Sequence, residues 1–158
     1  MSWWFKIYRQ DAKSAKERIS GAKRMRRLLI VAAGLNGLAA VTAGAAAQHL
    51  WVDEAPRALV ETAIRYGLPH AAALVALAAL PASSRRLTRG LLALAGAALG
   101  LGVTLFAGSL YALAAGAPPA VTHIVPAGGS LMILGWGLLL AYGVALGRDA
   151  SGEKPARQ

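Results

Sequence analysis

Between Leu91 and Leu113 the chain reads LLALAGAALGLGVTLFAGSLYAL, 23 residues without a charge. Few folds accept such a run. A hydrocarbon core of ~30 Å takes about 20 apolar residues wound as a helix, so the length fits a membrane crossing. Small residues recur at every fourth position in Gly96, Gly100, Thr104, Gly108 and Ala112. On a helix this spacing makes one flat stripe where a second backbone can approach closely, an extended form of the GxxxG interface. Gly102 lies about 160° round the helix from Gly100 and falls off that stripe. Beside the stripe sit Ser109 and Tyr111, whose hydroxyls need partners at membrane depth. The segment predicts the central, protein-contacting helix of a small transmembrane bundle.

The rest of the chain fits the same solvent. Hydrophobic residues make up 56% of the sequence and mean hydropathy is +0.49, values a soluble domain of this size rarely reaches. There is no cysteine, which removes disulfides, thiolate metal sites and a cysteine nucleophile. A net charge of +10 would suit nucleic acid, but its placement argues otherwise. Nine of the 17 Lys and Arg precede residue 28, beside a hydrophobic span, where anionic lipid headgroups are the expected counter-charge. No nucleic-acid partner is expected.

Residues 1–27 are predicted to form a basic amphipathic helix in the membrane interface, anchored by Trp3, Trp4 and Phe5. The alternative is a solvated tail. Leu28–Leu50 is the first span, with a small-residue stripe at Ala39, Ala43 and Ala47 and polar insertions at Asn36, Thr42 and Gln48. Its Ala45-Ala46-Ala47 end also resembles a signal-peptide cleavage site, although the leader before it is long and rich in tryptophan. Ala55–Leu80 is predicted as one helix, half interfacial and half inserted. Asp53 or Glu54 caps it, Glu61 and Arg65 pair, and it bends near Gly67 and Pro69. After a basic turn at Pro81–Gly90 the third span runs to Gly116, where Ala117-Pro118-Pro119 stops it. Val121–Leu146 is the fourth span, interrupted at Pro126 and Gly128-Gly129. Residues 147–158 form a polar tail expected to lack order.

Lys and Arg number 9 in the N-terminal segment, 3 in residues 81–90 and 3 in the C-terminal tail, against 2 and 0 in the other two connections. This asymmetry puts both termini and the middle turn in the cytoplasm. The expected architecture is an all-α, four-span protein of the inner membrane: 1–27 basic segment, 28–146 transmembrane domain, 147–158 tail.

Several segments resemble the family known as domain of unknown function 423, with eukaryotic relatives named transmembrane protein 256. Leu105–Tyr111 is similar to the family's LFSGSLY, and Ile124–Gly129 with Leu134-Gly135-Trp136 to its ITPIGG and GW. Ala47–Leu50 resembles GAHAL, and Arg65–Ala71 resembles RYQMYHA. The resemblance runs from about Arg27 to Leu146 and implies a small four-helix inner-membrane protein. It implies no reaction. Ala107 stands in place of a serine, Gly67 and Pro69 in place of larger residues, and the aromatic–basic segment is additional.

His49, His70 and His123 all fall near span ends that the topology puts on the non-cytoplasmic side. Together with Ser109 and Tyr111 they are candidates for one polar site, for a metal or for proton sensing. The competing reading has each imidazole bonded to a neighbouring helix end or a headgroup. Pro126, Gly128 and Gly129 are read as a kink that lets the fourth helix pack on Gly108 and Ser109. Catalysis has the least support, because Ser109 and Ser130 have no deep Asp or Glu to orient a base. No cofactor is expected. The favoured role is a non-enzymatic membrane component that packs on itself or on a partner through Gly96, Gly100, Thr104 and Gly108. The alternative is a carrier or channel for a proton, ion or small solute.

Overall fold

The structure, a computed structural model, describes residues 3–50, 53–81 and 85–151. It is all helical: α1 Trp3–Leu50, α2 Glu54–Ala79, α3 Arg86–Ala114 and α4 Ile124–Ser151, with a 3-10 turn at Pro119–His123 before α4. Segments Ile19–Ala47, Arg86–Ala114 and Pro119–Gly147 are long and apolar enough to cross a membrane. Consecutive helices pack side by side, and α3 contacts all three others, most extensively α4. The uncharged run is therefore the helix against which the rest assembles.

α1 differs from the two-part expectation. No break separates the basic segment from the apolar one, because nothing between Arg9 and Leu50 is a proline and Gly21 alone does not end a helix. At 1.5 Å per residue its 48 residues are ~72 Å long, more than twice a ~30 Å hydrocarbon core. Along its described side chains, burial starts at Leu29 and recurs at Ala33, Asn36, Ala40, Ala43 and Ala47. The spacing alternates four and three, the repeat of a left-handed helix seam, whereas a stripe at every fourth residue drifts round the helix. Ala39 is accordingly exposed and Ala40 takes its place. The side chains of Trp3, Trp4, Phe5 and Gln48 lie outside the described residues.

α2 starts at Glu54 with Asp53 in the N-cap position, although the Asp53 side chain makes no capping bond. Glu61 pairs with Arg57 at 3.0 Å rather than with Arg65. The helix continues without a break through Gly67 and Pro69 to Ala79.

The end of α3 follows the local sequence closely. Gly116 adopts φ +88°, the left-handed region that glycine enters without penalty. Its N–H donates to the Leu113 carbonyl at 3.0 Å and the Ala117 N–H to the Ala112 carbonyl at 2.9 Å, the paired bonds of a Schellman cap. Pro118 and Pro119 then prevent the helix from resuming. α4 begins at Ile124 and runs unbroken through Pro126, Gly128 and Gly129, so these residues do not interrupt a helix. Pro126 sits in the first turn, where the amide hydrogen it lacks would have had no intrahelical partner. α4 also extends to Ser151, which makes the start of the expected tail helical; residues 152–158 lie outside the described residues.

The core has two ends. Leu29, Ala33, Leu74, Leu77, Leu99, Val103 and Met132 form one cluster drawn from all four helices. At the other end lie two smaller clusters, Ala43, Ala47 and Val60 between α1 and α2 and Ala63, Ala107 and Leu110 between α2 and α3, with Tyr111 packed against both. Large apolar side chains remain exposed on the outer faces, among them Leu35 and Leu38 on α1 and Ile133 and Leu140 on α4. In water such surface would be a liability; in lipid it is the ordinary exterior.

Candidate functional site

Two polar links tie the helices together at depth. On α1, Asn36 is 7% exposed within a seam otherwise made of Leu29 and alanines. Its amide donates to the Ala32 carbonyl at 2.8 Å and to Thr104 Oγ1 on α3 at 2.9 Å. Thr104 passes its own hydrogen to the Gly100 carbonyl at 2.8 Å. Every hydrogen in this chain has an acceptor, as a low-dielectric site requires.

The second link joins α2 to α4. His70 lies midway along α2 and is buried, with Nδ1 2.8 Å from the Tyr66 carbonyl and Nε2 3.1 Å from Trp136 Nε1. A carbonyl can only accept, so Nδ1 carries the hydrogen; indole N–H can only donate, so Nε2 must be bare. The two partners together select one neutral tautomer. The Trp136 ring meets the imidazole edge-on, with centroids 5.9 Å apart, and Tyr66 meets Phe106 of α3 edge-on at 5.0 Å. Tyr66, His70, Phe106 and Trp136 thus form an aromatic bridge across three helices.

The remaining candidates do not join it. His49 is exposed in the last turn of α1 and His123 is exposed at the end of the 3-10 turn. Ser109 is buried and donates to the Phe106 carbonyl of its own helix at 2.9 Å. The Tyr111 hydroxyl is buried among apolar side chains and has no hydrogen-bond partner among the described residues. None of these four residues, nor His70, lines the cavity between α1, α2 and α3 or the one between α3 and α4. No group of three or more His, Asp or Glu that could hold a metal ion comes together among the described residues. Of the expected site, only His70 has an inter-helix bond. Trp136, which completes it, went unselected because a bond spanning 66 residues leaves no trace in local spacing.

The packing glycines also sort differently. A Cβ on Gly96 would come within 2.8 Å of Leu29 Cδ2, and one on Gly100 would make ordinary 3.6 Å contacts with Ala32 and Leu74. These two face α1 and α2. Gly108 is exposed, with nothing within 4 Å of an added Cβ, so α4 does not seat on it. The closest approach involves Gly102 instead. An added Cβ there would fall 2.8 Å from the Met132 amide nitrogen, and one on Gly128 would fall 2.5 Å from that of Phe106. Gly135 is likewise closed by Leu99, at 2.6 Å. On α4, Gly128, Met132, Gly135 and Tyr142 are buried at spacings of four, three and seven, the seam pattern seen on α1. Gly129 is half-buried beside Phe106.

A family model described as a protein of unknown function (DUF423) matches residues 43–129, from the second half of α1 into the start of α4. A curated relative in Haemophilus influenzae (strain Rd), named UPF0382 membrane protein, is 31% identical over 122 residues, covering 75% of this chain and 94% of the relative. No solved structure matches. A membrane-type helical bundle whose matched region holds His70, Thr104 and the Gly102–Gly128 contact agrees with these findings, and the chain belongs to the DUF423 family of membrane proteins.

Proposed function

We propose that this protein is a non-enzymatic structural component of the inner membrane, crossing it four times with both termini in the cytoplasm and packing on itself or on a partner protein. One observation carries the reading. The buried Asn36 and His70 side chains are bonded to other helices of the same bundle, through Thr104 and Trp136, while α1 and α4 present long apolar faces outward. Lipid tails and a partner helix are equally apolar, so those faces suit either. Gly96 and Gly100 are covered by the chain's own α1 and α2, which leaves the outer faces of α1 and α4, and Gly108, for contact with a partner.

α2 supplies the fourth crossing in this reading. Its 26 residues are ~39 Å long, and it packs on α1 and α3 at both ends of the core. Its charges are confined to the first twelve residues, Glu54–Arg65, where Arg57 and Glu61 neutralise one another near the interface. The basic ends of α1, α3 and α4 then share one side, in keeping with positive-inside sorting. The carrier alternative draws less support, since His49, His70, Ser109 and Tyr111 share no described cavity.

The absence of native cysteine makes the test direct. Single cysteines placed at Leu35, Leu38, Ile133 and Leu140 are oxidised or cross-linked in native membranes. Adducts are expected from one face and not the other. If neither face, nor a cysteine placed at Gly108, yields an adduct with a second copy or another protein, the packing role is wrong.

A further inference from the structure

A cavity of about 590 Å3 opens where α1 passes the end of α2 and the start of α3. Its volume falls within the roughly 300–1,000 Å3 of small-ligand sites. Lys23 and Arg26 of α1 and Arg86 and Arg89 of α3 line it, and among the described residues no acidic one does. Its floor is apolar and includes buried Leu29 and Leu77. Four cations and an apolar floor are brought together in one place. Cations alone would suit any anion, and an apolar cleft alone would suit any acyl chain.

Helix termini do not cancel this field. The C-terminus of α2 brings a partial negative charge equivalent to about −0.5, but the N-terminus of α3 brings a similar positive one. What remains is the charge of the four side chains.

We infer that this cavity binds an anionic phospholipid, with the phosphate held by Lys23, Arg26, Arg86 and Arg89 and the upper acyl chain lying on Leu29 and Leu77. Basic pockets between membrane helices at the cytoplasmic surface take headgroups in this way. The site would fasten α1 to the α2–α3 corner at the level where α1 leaves the core. The inference rests on the proposed placement of the basic end at an anionic leaflet. Reporter fusions at Arg85 and Gly116 test that placement separately, so a failed topology and a failed lipid site are distinguishable.

The experiment uses the full chain purified in mild detergent and titrated with phosphatidylglycerol, phosphatidylcholine, glycerol phosphate or inorganic phosphate, reading retained ligand by native mass spectrometry and melting temperature. Phosphatidylglycerol is expected to be retained and to raise the melting temperature, and the other three are not. Arg26→Gln and Arg89→Gln should each weaken retention about fivefold, the effect of one charge near an anionic lipid. Gly90→Leu tests the cavity without altering charge. Gly90 lines it, an added Cβ meets nothing within 4 Å, and leucine is a better helix former than glycine, so the variant should fold and exclude the lipid. Lys16→Gln removes a charge from the same helix outside the cavity and should leave retention unchanged. Three results overturn the site: equal retention of phosphatidylcholine, equal loss in Lys16→Gln and Arg26→Gln, or unimpaired binding in Gly90→Leu. Binding of inorganic phosphate as tight as that of the lipid would overturn the assignment to a phospholipid.

Discussion

The two faces of α3 use glycine in opposite ways. Toward α1 and α2, Gly96 and Gly100 leave room that side chains fill, namely Leu29, Ala32 and Leu74. Toward α4, Gly102 and Gly128 leave room that backbone fills, and the absent side chain of each would land about 3 Å from the other's carbonyl oxygen, at 3.0 and 2.9 Å. Flexible side chains can retreat from an intruding methyl group, whereas a helix backbone moves only with its whole helix. The face with the regular small-residue stripe is therefore the forgiving one. The less regular face, with a single glycine on α3, is the tight one because its partner helix supplies the other glycines.

The largest effect expected from this comparison is at the α3–α4 contact. Gly128→Leu and Gly102→Leu should each lower stability by about 3 kcal/mol or more, at the upper end of overpacking costs, because the new atoms meet backbone. Gly100→Ala should be neutral, since its Cβ fits at 3.6 Å and alanine favours helix. Melting in detergent, with membrane insertion checked separately, measures all three. Equal damage from Gly100→Ala and Gly102→Leu would erase the difference between the faces.

Much of this arrangement was legible in the sequence, and the limits have a physical pattern. The all-helical class, the span of α3 and its stop at Gly116 follow from local signals: charge-free length, a glycine and two prolines. The continuity of α1 was missed because a change from polar to apolar composition marks a change of solvent, not the end of a helix. Pro126 was read as a break because its place, first turn or interior, depends on where α4 begins. Gly102 was assigned away from the packed stripe because spacing identifies a face without saying which neighbour covers it. The His70–Trp136 bond was invisible for the same reason, as its halves lie on different helices.

The next effect down concerns that bond. Trp136→Phe keeps the aromatic contact and removes the donor, which leaves His70 Nε2 buried without a partner. A cost of about 1–2 kcal/mol is expected, within the range for orphaned buried polar atoms and for hydrogen bonds between membrane helices. His70→Phe removes the orphan as well and should cost less in the Trp136→Phe background than alone. A double-mutant cycle on melting curves reads the coupling. Additive losses would mean that the 3.1 Å contact contributes nothing.

Tyr111→Phe should act in the opposite direction. Its hydroxyl is buried between the α1–α2 and α2–α3 clusters without a described partner, so removing it relieves a desolvation cost. A gain of up to about 1 kcal/mol is expected. A loss of similar size would reveal a hydrogen-bond partner supplied by bound water or by lipid.

Gly108→Leu should have the smallest effect, and it separates packing inside the bundle from packing outside it. Gly108 continues the fourfold stripe of Gly96, Gly100 and Thr104, yet it is exposed and an added Cβ meets nothing within 4 Å. If stripe membership set the energy, leucine here would be as harmful as leucine at Gly100, where Ala32 and Leu74 stand in the way. If local contact sets it, the substitution should stay within about 0.5 kcal/mol of wild type, as outward-facing replacements do, and any change should be slightly stabilising because glycine is a poor helix former. Melting temperature decides between these two outcomes. Elution volume in size-exclusion chromatography adds a third arm, because a second copy seated on Gly108 would be displaced by leucine while the monomer's own stability stayed the same. Unchanged melting with a shift to later elution would place the contact between copies at Gly108. Unchanged melting with unchanged elution would move it to the outer faces of α1 or α4, where Leu35, Leu38, Ile133 and Leu140 wait to be tested in the same way.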